Sequence, residues 1–575
     1  MLLGILRLYV FFPTLVGLGA GLLVLLFITT LNAVSDLVLG RLLGIRIPQP
    51  PGLSGGGEAT LSLPELAYLL PLVVAGGALL SEILVQLVAP EAHGMSGDTV
   101  VQAFHRRKRL SLKTSLVKLI ASAVVIGTGG PVGRLSPSAL IGAGVADSLS
   151  KIFRLSATER RILIAVGFGA GLSAVLKAPL AGAIMSSEVF FRRDFEAQAL
   201  LPSFIASVVS YSVFGTVFGF EPLFHVSVTP FSERGFSDIP LFVGLALVCT
   251  LVVKLFIRFF LFIRKRMERF FPSPYLRVFI GGLSAGGVCY LFPVATGGGL
   301  GWVQTVLDGK HDDYSLLVGG FLGVLLGMSL LLGSGASGGI FGPSLVMGGF
   351  LGALYGTALE KLLGLDNLDI PSLVVVGMVS FLAGVANAPL ANIILVSEVT
   401  GGYELLVPSM ISVFITYLLT SRQSVFPSQL ETRFDSPAYR SDLGMFVLER
   451  LKVRDYMSTP LTVAPEDSVR YAHSLLEKNL IGGLPVVVGD YLVGIVTRSD
   501  VLKVSEEERE RKRVGEVMSK DLEVVTPDET LSEALKLMVG RGVGRLPVVE
   551  RKESRKLVGI IARADIGRAI RENLP

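Results

Sequence analysis

Cysteine and histidine are scarce in this 575-residue chain, with two of the former and five of the latter, and neither type clusters. Cys249 and Cys289 both fall inside apolar runs and read as small buried hydrophobes. No disulfide framework and no Cys/His zinc spacing can be built from them, so no metal site is expected. Charge is scarce too. Asp, Glu, Lys and Arg make up 17% of the residues, against about 25% in soluble domains. No nucleophile–base constellation accompanies these few polar groups, and no enzymatic function is expected.

Apolar sequence fills the space that charge leaves. The chain is 51% hydrophobic, its mean hydropathy is +0.64, and runs such as Tyr9–Leu31, Leu69–Val88, Ile239–Ile263 and Leu316–Leu332 are long enough to span a bilayer. The first is too long and too poorly flanked for a cleaved signal peptide, and predicts a membrane helix that stays. Basic residues interrupt the runs in clusters, at Arg106-Arg107-Lys108-Arg109, Arg192-Arg193 and Arg264-Lys265-Arg266. The positive-inside rule places these in the cytoplasm. No aromatic interleaving or recognition motif accompanies them, which argues against a nucleic-acid partner.

Up to about Thr420 the sequence is apolar, Gly-rich and broken into short segments; from about Leu451 to Ile570 charged helices alternate with short β-branched runs. Both parts repeat. Lys177-Ala178-Pro179-Leu180-Ala181-Gly182, leading to Ser187-Glu188-Val189, returns 210 residues later as Asn387-Ala388-Pro389-Leu390-Ala391-Asn392, leading to Ser397-Glu398-Val399. Pro137-Ser138 likewise returns as Pro343-Ser344, 206 residues later. Gly/Pro-interrupted segments at matching places of two halves point to a transporter-type fold with its site at the repeat interface. In the tail, Gly483–Val487 matches Arg545–Val549 and Gly494–Val496 matches Gly559–Ile561, two copies of a small α/β unit.

These motifs resemble the CLC family of chloride channels and chloride/proton antiporters, followed by a CBS-domain pair. Gly133-Arg134-Leu135-Ser136-Pro137 stands in the place of the family's Gly-Arg-Glu-Gly-Pro, and Gly339-Ile340-Phe341-Gly342-Pro343 is close to Gly-Ile-Phe-Ala-Pro. The doubled Ala-Pro-Leu segment ending in Ser-Glu-Val is the third match. Gly127-Thr128-Gly129-Gly130 also loosely resembles a dinucleotide loop, but lacks a β-α-β setting. The resemblance implies an α-helical polytopic membrane protein of inverted repeats, with tilted and broken helices and a C-terminal α/β CBS pair. Its expected layout is a membrane domain over 1–425 (halves about 1–220 and 235–425), a linker over 426–450, and CBS repeats at 451–510 and 511–575. A homodimer in the cell (inner) membrane, with termini and tail in the cytoplasm, is implied as well.

Helix N-termini can hold an anion without a full charge that would trap it, because their unpaired N–H groups and aligned dipoles point at the ion. By similarity, the amides of Ile340 and Phe341 line a central site and those near Leu135 an outer one. The family adds a serine on an early half-helix and a late tyrosine. The serine's place corresponds to Ala92–Asp98, where His93, Met95 or Ser96 takes the position: Met95 if the match from Asp98 to His105 sets the register, Ser96 otherwise. The tyrosine's place is Phe426, whose ring donates no hydrogen bond.

Proton-coupled relatives use two glutamates, whose positions here are Leu135 and Val189. Neither side chain binds a proton. The expectation is a passive anion channel, most favourably for chloride, rather than an antiporter; the alternatives are coupling through another carboxylate, such as Glu82 or Asp147, or a preference for fluoride or nitrate. A CBS-bearing magnesium channel fits poorly, since cation pathways need acidic or carbonyl-rich linings. Glu188 and Glu398, at equivalent places in both halves, suggest a shared structural task such as receiving backbone N–H groups. In the tail, the ribose-binding pattern Gly-x-x-Thr/Ser-x-x-Asp is intact at Thr497 and Asp500; the second copy keeps Asp565 but has Ala562 for the hydroxyl. One adenosine-nucleotide site is the expected maximum, and the charged run Glu506–Arg513 reads as a solvated linker.

Overall fold

Glycine and proline cut the apolar sequence into helices of unequal length. The computed structural model describes residues 6–53, 64–106, 108–228, 238–310, 313–364, 368–439, 447–551 and 555–573; Arg107 of the first basic cluster and residues 440–446 of the expected linker lie outside these. Among the described residues, Arg7–Leu42, Glu65–Val88, Ala197–Phe218, Ile239–Phe270 and Tyr314–Gly333 are long and apolar enough to cross a membrane. Others stop short. Ser96–Arg106, Pro179–Glu188 and Pro389–Thr400 have 11, 10 and 12 residues. At ~1.5 Å per residue they span about half of a bilayer core.

The sequence repeat is a structural repeat. Helix Leu135–Ile152 packs on Ala157–Leu176, and Phe341–Leu363 packs on Ile370–Ala386 in the same way. The small residues explain the fit: Gly142 and Gly167 approach so closely that a β-carbon on either would strike the other's carbonyl oxygen, and Gly348 and Gly377 repeat the contact. Each second helix ends on a left-handed residue, Lys177 (φ 54°) or Asn387 (φ 56°), before its Ala-Pro-Leu half-helix. Lys177 is held there by Nζ donating to the Phe218 carbonyl at 2.8 Å.

The half-helices then cap one another. Glu188 accepts from the backbone N–H groups of Leu390 (3.0 Å) and Ala391 (2.9 Å), while Glu398 accepts from Leu180 (2.9 Å) and Ala181 (2.7 Å). Each carboxylate at a helix C-terminus meets the free N–H groups and positive dipole end of the other half's helix. Their structural task is this reciprocal cap.

The chain separates into two compact units, Met1–Ala438 and Tyr439–Pro575. The first therefore runs past residue 425, because the segment after Phe426 is tied into it. Ser428 N–H donates to Asp98 (2.9 Å), Gln429 Nε2 to the Val189 carbonyl (2.8 Å), and Arg433 grips Asp194 with two N–H groups at 2.8 and 2.9 Å. The Arg433 guanidinium holds the Asp194 carboxyl down at about 2.

In the second unit, antiparallel strands Gly483–Val488 and Tyr491–Thr497 form one hairpin, and Arg545–Val549 with Leu557–Ala562 the other. The boundary at 510/511 is crossed by packing. Val514 is buried with Leu484, Val486 and Val496 of the first copy, whereas Leu448 and Val453 are buried with Leu546, Val548 and Ile561 of the second. Bridges Ser458↔Ile560 and Ile495↔Ser519 complete the exchange. Each hairpin buries one face and has unpaired edge groups, which the other copy's leading segment satisfies.

Candidate functional site

Helices Leu135–Ile152 and Phe341–Leu363 begin beside each other. Gly133 N–H donates to the Gly339 carbonyl at 2.8 Å, bridging the two motifs antiparallel. Each glycine abuts the other motif's proline turn. A β-carbon on Gly133 would lie 2.6 Å from Pro343 Cδ, and one on Gly339 would lie 2.8 Å from Pro137 Cδ. Only glycine allows this approach. Gly133→Ala is expected to push the two helix starts apart and lower anion flux several-fold, read as chloride efflux from proteoliposomes, with the protein still eluting as a folded species.

A third helix start joins them. Met95 bridges Gly338 in parallel, and Ser96, the first residue of its half-helix, points both its N–H (3.4 Å) and its hydroxyl (3.1 Å) at the Gly338 carbonyl. The Ser96 proton is thereby committed to the protein. The ring of Phe426 closes the cluster: a β-carbon on Gly97 would lie 2.7 Å from its Cζ, and its centroid lies 5.6 Å from that of Phe341 in an edge-to-face arrangement. Met95, Ser96, Gly133–Ser136, Gly339–Gly342 and Phe426 thus meet in one place although up to 331 positions separate them in sequence.

The interior of this cluster is buried, largely apolar and short of side-chain donors. Leu135, Ile340 and Phe426 are each 1% exposed, and Phe341 is fully buried. Among the described residues, the buried Ser136 hydroxyl has no partner. Arg134, also buried, donates through Nη2 to Gln49 Oε1 at 2.9 Å, while its Nη1 has no partner among the described residues. Three convergent helix N-termini, one cation and one free hydroxyl make an environment for a small anion and none for a cation.

Sequence reasoning missed Lys118. It is fully buried, and Nζ donates to the carbonyls of Ala92 (2.9 Å) and Gly94 (2.6 Å) and to Ser337 Oγ (3.3 Å), fastening the Met95–Ser96 turn to the second half of the chain. A lysine in the middle of the apolar helix Leu112–Gly127, well past Lys113 in its first turn, was the available signal. Val189 is buried, 0% exposed, and its carbonyl is bound by Gln429, another missed residue. Of the carboxylates singled out for coupling, Asp147 is held by Arg160 and by the Leu110 N–H, and Glu82 by His93.

In the second unit, Asp500 caps its helix by accepting from the Thr497 N–H (3.1 Å) and hydroxyl (2.6 Å); Asp565 accepts from the Ala562 N–H (3.0 Å) and from Arg568 Nη2 (3.4 Å), with no hydroxyl at position 562. Burial raises and the Thr497 hydrogen bonds lower the Asp500 pKa, with a net lowering. Arg545, missed in the sequence, lies beside this pair: its Nη1 donates to the Gly483 carbonyl at 3.1 Å, where a β-carbon would touch both Arg545 and Thr497.

The profile of the voltage gated chloride channel family matches residues 77–421, and that of the CBS domain matches 453–507 and 514–572. An uncharacterised protein of Methanocaldococcus jannaschii is 28% identical over 58% of this chain and 82% of its own length. The H(+)/Cl(-) exchange transporter ClcA of Salmonella typhi is 28% identical over 70% of this chain and 83% of its own. Among solved structures, a CLC-type fluoride/proton antiporter superposes with a TM-score of 0.61 at 21% identity, covering 75% of this chain and 99% of that one. A eukaryotic CLC transporter gives 0.60 at 21% identity, covering 98% and 99%. These likenesses establish the fold. The chain belongs to the voltage-gated chloride channel (CLC) family of membrane anion transporters and carries a C-terminal pair of CBS domains.

Proposed function

We propose that this protein is a passive anion channel, most favourably for chloride, working as a homodimer in the cell membrane with its termini and CBS pair in the cytoplasm. The observation that carries this reading is Leu135: an apolar, fully buried side chain at the first position of helix Leu135–Ile152, where proton-coupled relatives place a gating glutamate. Val189 is the matching change at the inner proton position. With no proton acceptor at either place, anions move down their electrochemical gradient through a site built from Met95, Ser96, Gly133, Arg134, Leu135, Ser136, Gly339, Ile340, Phe341, Gly342 and Phe426. The backbone amides of Leu135, Ile340 and Phe341 supply the positive potential, and Ser136 the free hydroxyl. In the tail, Thr497 and Asp500 would hold the ribose of one adenine nucleotide with Arg545 at its phosphates, and Asp565 takes the equivalent ribose position in the second copy without the hydroxyl.

The name of the Salmonella relative favours a second reading, coupled exchange, and one experiment separates the two. Purified protein in liposomes is given a chloride gradient, with anion efflux and external pH recorded together, with and without a potassium ionophore. Large chloride flux that requires the ionophore and moves no protons is the expected result. Uphill proton movement driven by chloride would overturn the channel reading.

A further inference from the structure

We infer that Glu82 and His93 form a proton-binding site in the wall of the anion pathway, and that its occupancy sets the anion affinity of the neighbouring Met95–Ser96 turn; the inference rests on the anion-site reading above. Glu82, 1% exposed, projects from helix Leu70–Val88 and meets His93 Nδ1 through both oxygens, at 2.9 and 3.1 Å. Gln86 Nε2 donates to the same carboxylate at 2.7 Å. His93 has the opposite character: its side chain is 30% exposed. It stands two residues before Met95, and a β-carbon on Gly335 would lie 3.0 Å from its ring, three residues before the Gly338 that Met95 and Ser96 bridge.

The charges around the pair decide what a proton does. From helix Leu112–Gly127 comes Lys118, which binds the carbonyls on either side of His93. From helix Pro274–Leu291 comes Arg277, whose Nε donates to the Ser334 carbonyl at 2.8 Å and whose Nη2 also approaches Gly335. Glu91, on the connecting turn, is occupied by the Thr114 hydroxyl at 2.7 Å. Helix Ile239–Phe270, which reaches Gly333, carries the Arg264–Glu268 pair. With His93 neutral, Glu82 offsets one of the two nearby cations. Protonating His93 gives the carboxylate a closer partner and adds a positive charge within three residues of the anion-facing turn. An anion is then held more tightly, and the bound anion in turn favours the proton.

The test uses the full-length protein. Chloride binding is measured calorimetrically in detergent and chloride efflux in liposomes, both at pH 8.0 and pH 5.5, for wild type, His93→Gln and Glu82→Gln. Wild type is expected to bind and pass chloride roughly threefold or more better at the lower pH, the scale of one added charge at partial screening. His93→Gln should bring that ratio close to one. Glu82→Gln should reduce the ratio, because the carboxylate that faces the His93 ring is gone. An unchanged ratio in a monodisperse His93→Gln protein overturns the inference while leaving the anion site standing. Absence of chloride binding and flux at both pH values overturns both.

Discussion

If the protein is the passive channel proposed above, Leu135→Glu is expected to leave its pathway blocked at neutral pH. The wild-type side chain is 1% exposed and sits at the start of helix Leu135–Ile152, with its Cγ 3.9 Å from the β-carbon position of Gly342 in the facing motif. A carboxylate there is tethered next to the same N–H groups that an anion would use. Tethering keeps it at that site whatever the chloride concentration, and like charge excludes the ion. Chloride efflux should fall at least tenfold at pH 7.5 and recover on acidification as the carboxyl is protonated. Leu135→Gln, which has similar volume and no charge, should show no such pH dependence. Equal flux in wild type and Leu135→Glu at every pH would remove Leu135 from the pathway.

The second large effect is on stability. Glu188→Ala takes the acceptor from the Leu390 and Ala391 N–H groups at a buried contact between the two halves. Hydrogen bonds to a charged group contribute ~1.5–3 kcal/mol each, and the helix N-terminus loses its counter-charge. Part of that loss is returned, since a desolvated carboxylate is itself unfavourable. A net destabilisation of about 3 kcal/mol follows, seen as a Tm several degrees lower. Glu398→Ala removes the equivalent cap, but Glu398 is less buried than Glu188, so water replaces part of what it supplied and its effect should be smaller. Glu188→Gln keeps an oxygen for one N–H and should fall between. If Glu188→Gln instead altered ion coupling at unchanged Tm, Glu188 would belong to the transport chemistry rather than to the cap.

The reciprocal caps and the pathway depend on the same repeat. The half-helix that Glu188 ends is followed directly by Val189, whose carbonyl is bound by Gln429, three residues beyond Phe426 of the anion cluster. A loosened cap therefore reaches the site through a short, buried chain of contacts, and Glu188→Ala should also lower the temperature at which flux is lost.

Sequence alone determined the class of the molecule, its doubled organisation and the helix starts on which the proposed anion site rests. Low charge and long apolar runs require lipid as solvent, and Gly/Pro patterns such as Gly133–Pro137 and Gly339–Pro343 encode helix starts locally, through backbone freedom and the missing proline N–H. Those signals are carried by neighbouring residues, so they survive in one dimension. What the partners of those starts would be was decided only in three dimensions. Gly133 abutting Gly339, Glu188 capping a helix 202 positions away, and Lys118 joining Ala92 and Gly94 to Ser337 all depend on how the two halves pack. The same holds for Ser96, whose hydroxyl is free in the sequence and bound to Gly338 in the fold. It holds too for the CBS copies, which look consecutive along the chain yet exchange their leading segments because each hairpin edge needs hydrogen-bond partners that its own copy does not provide.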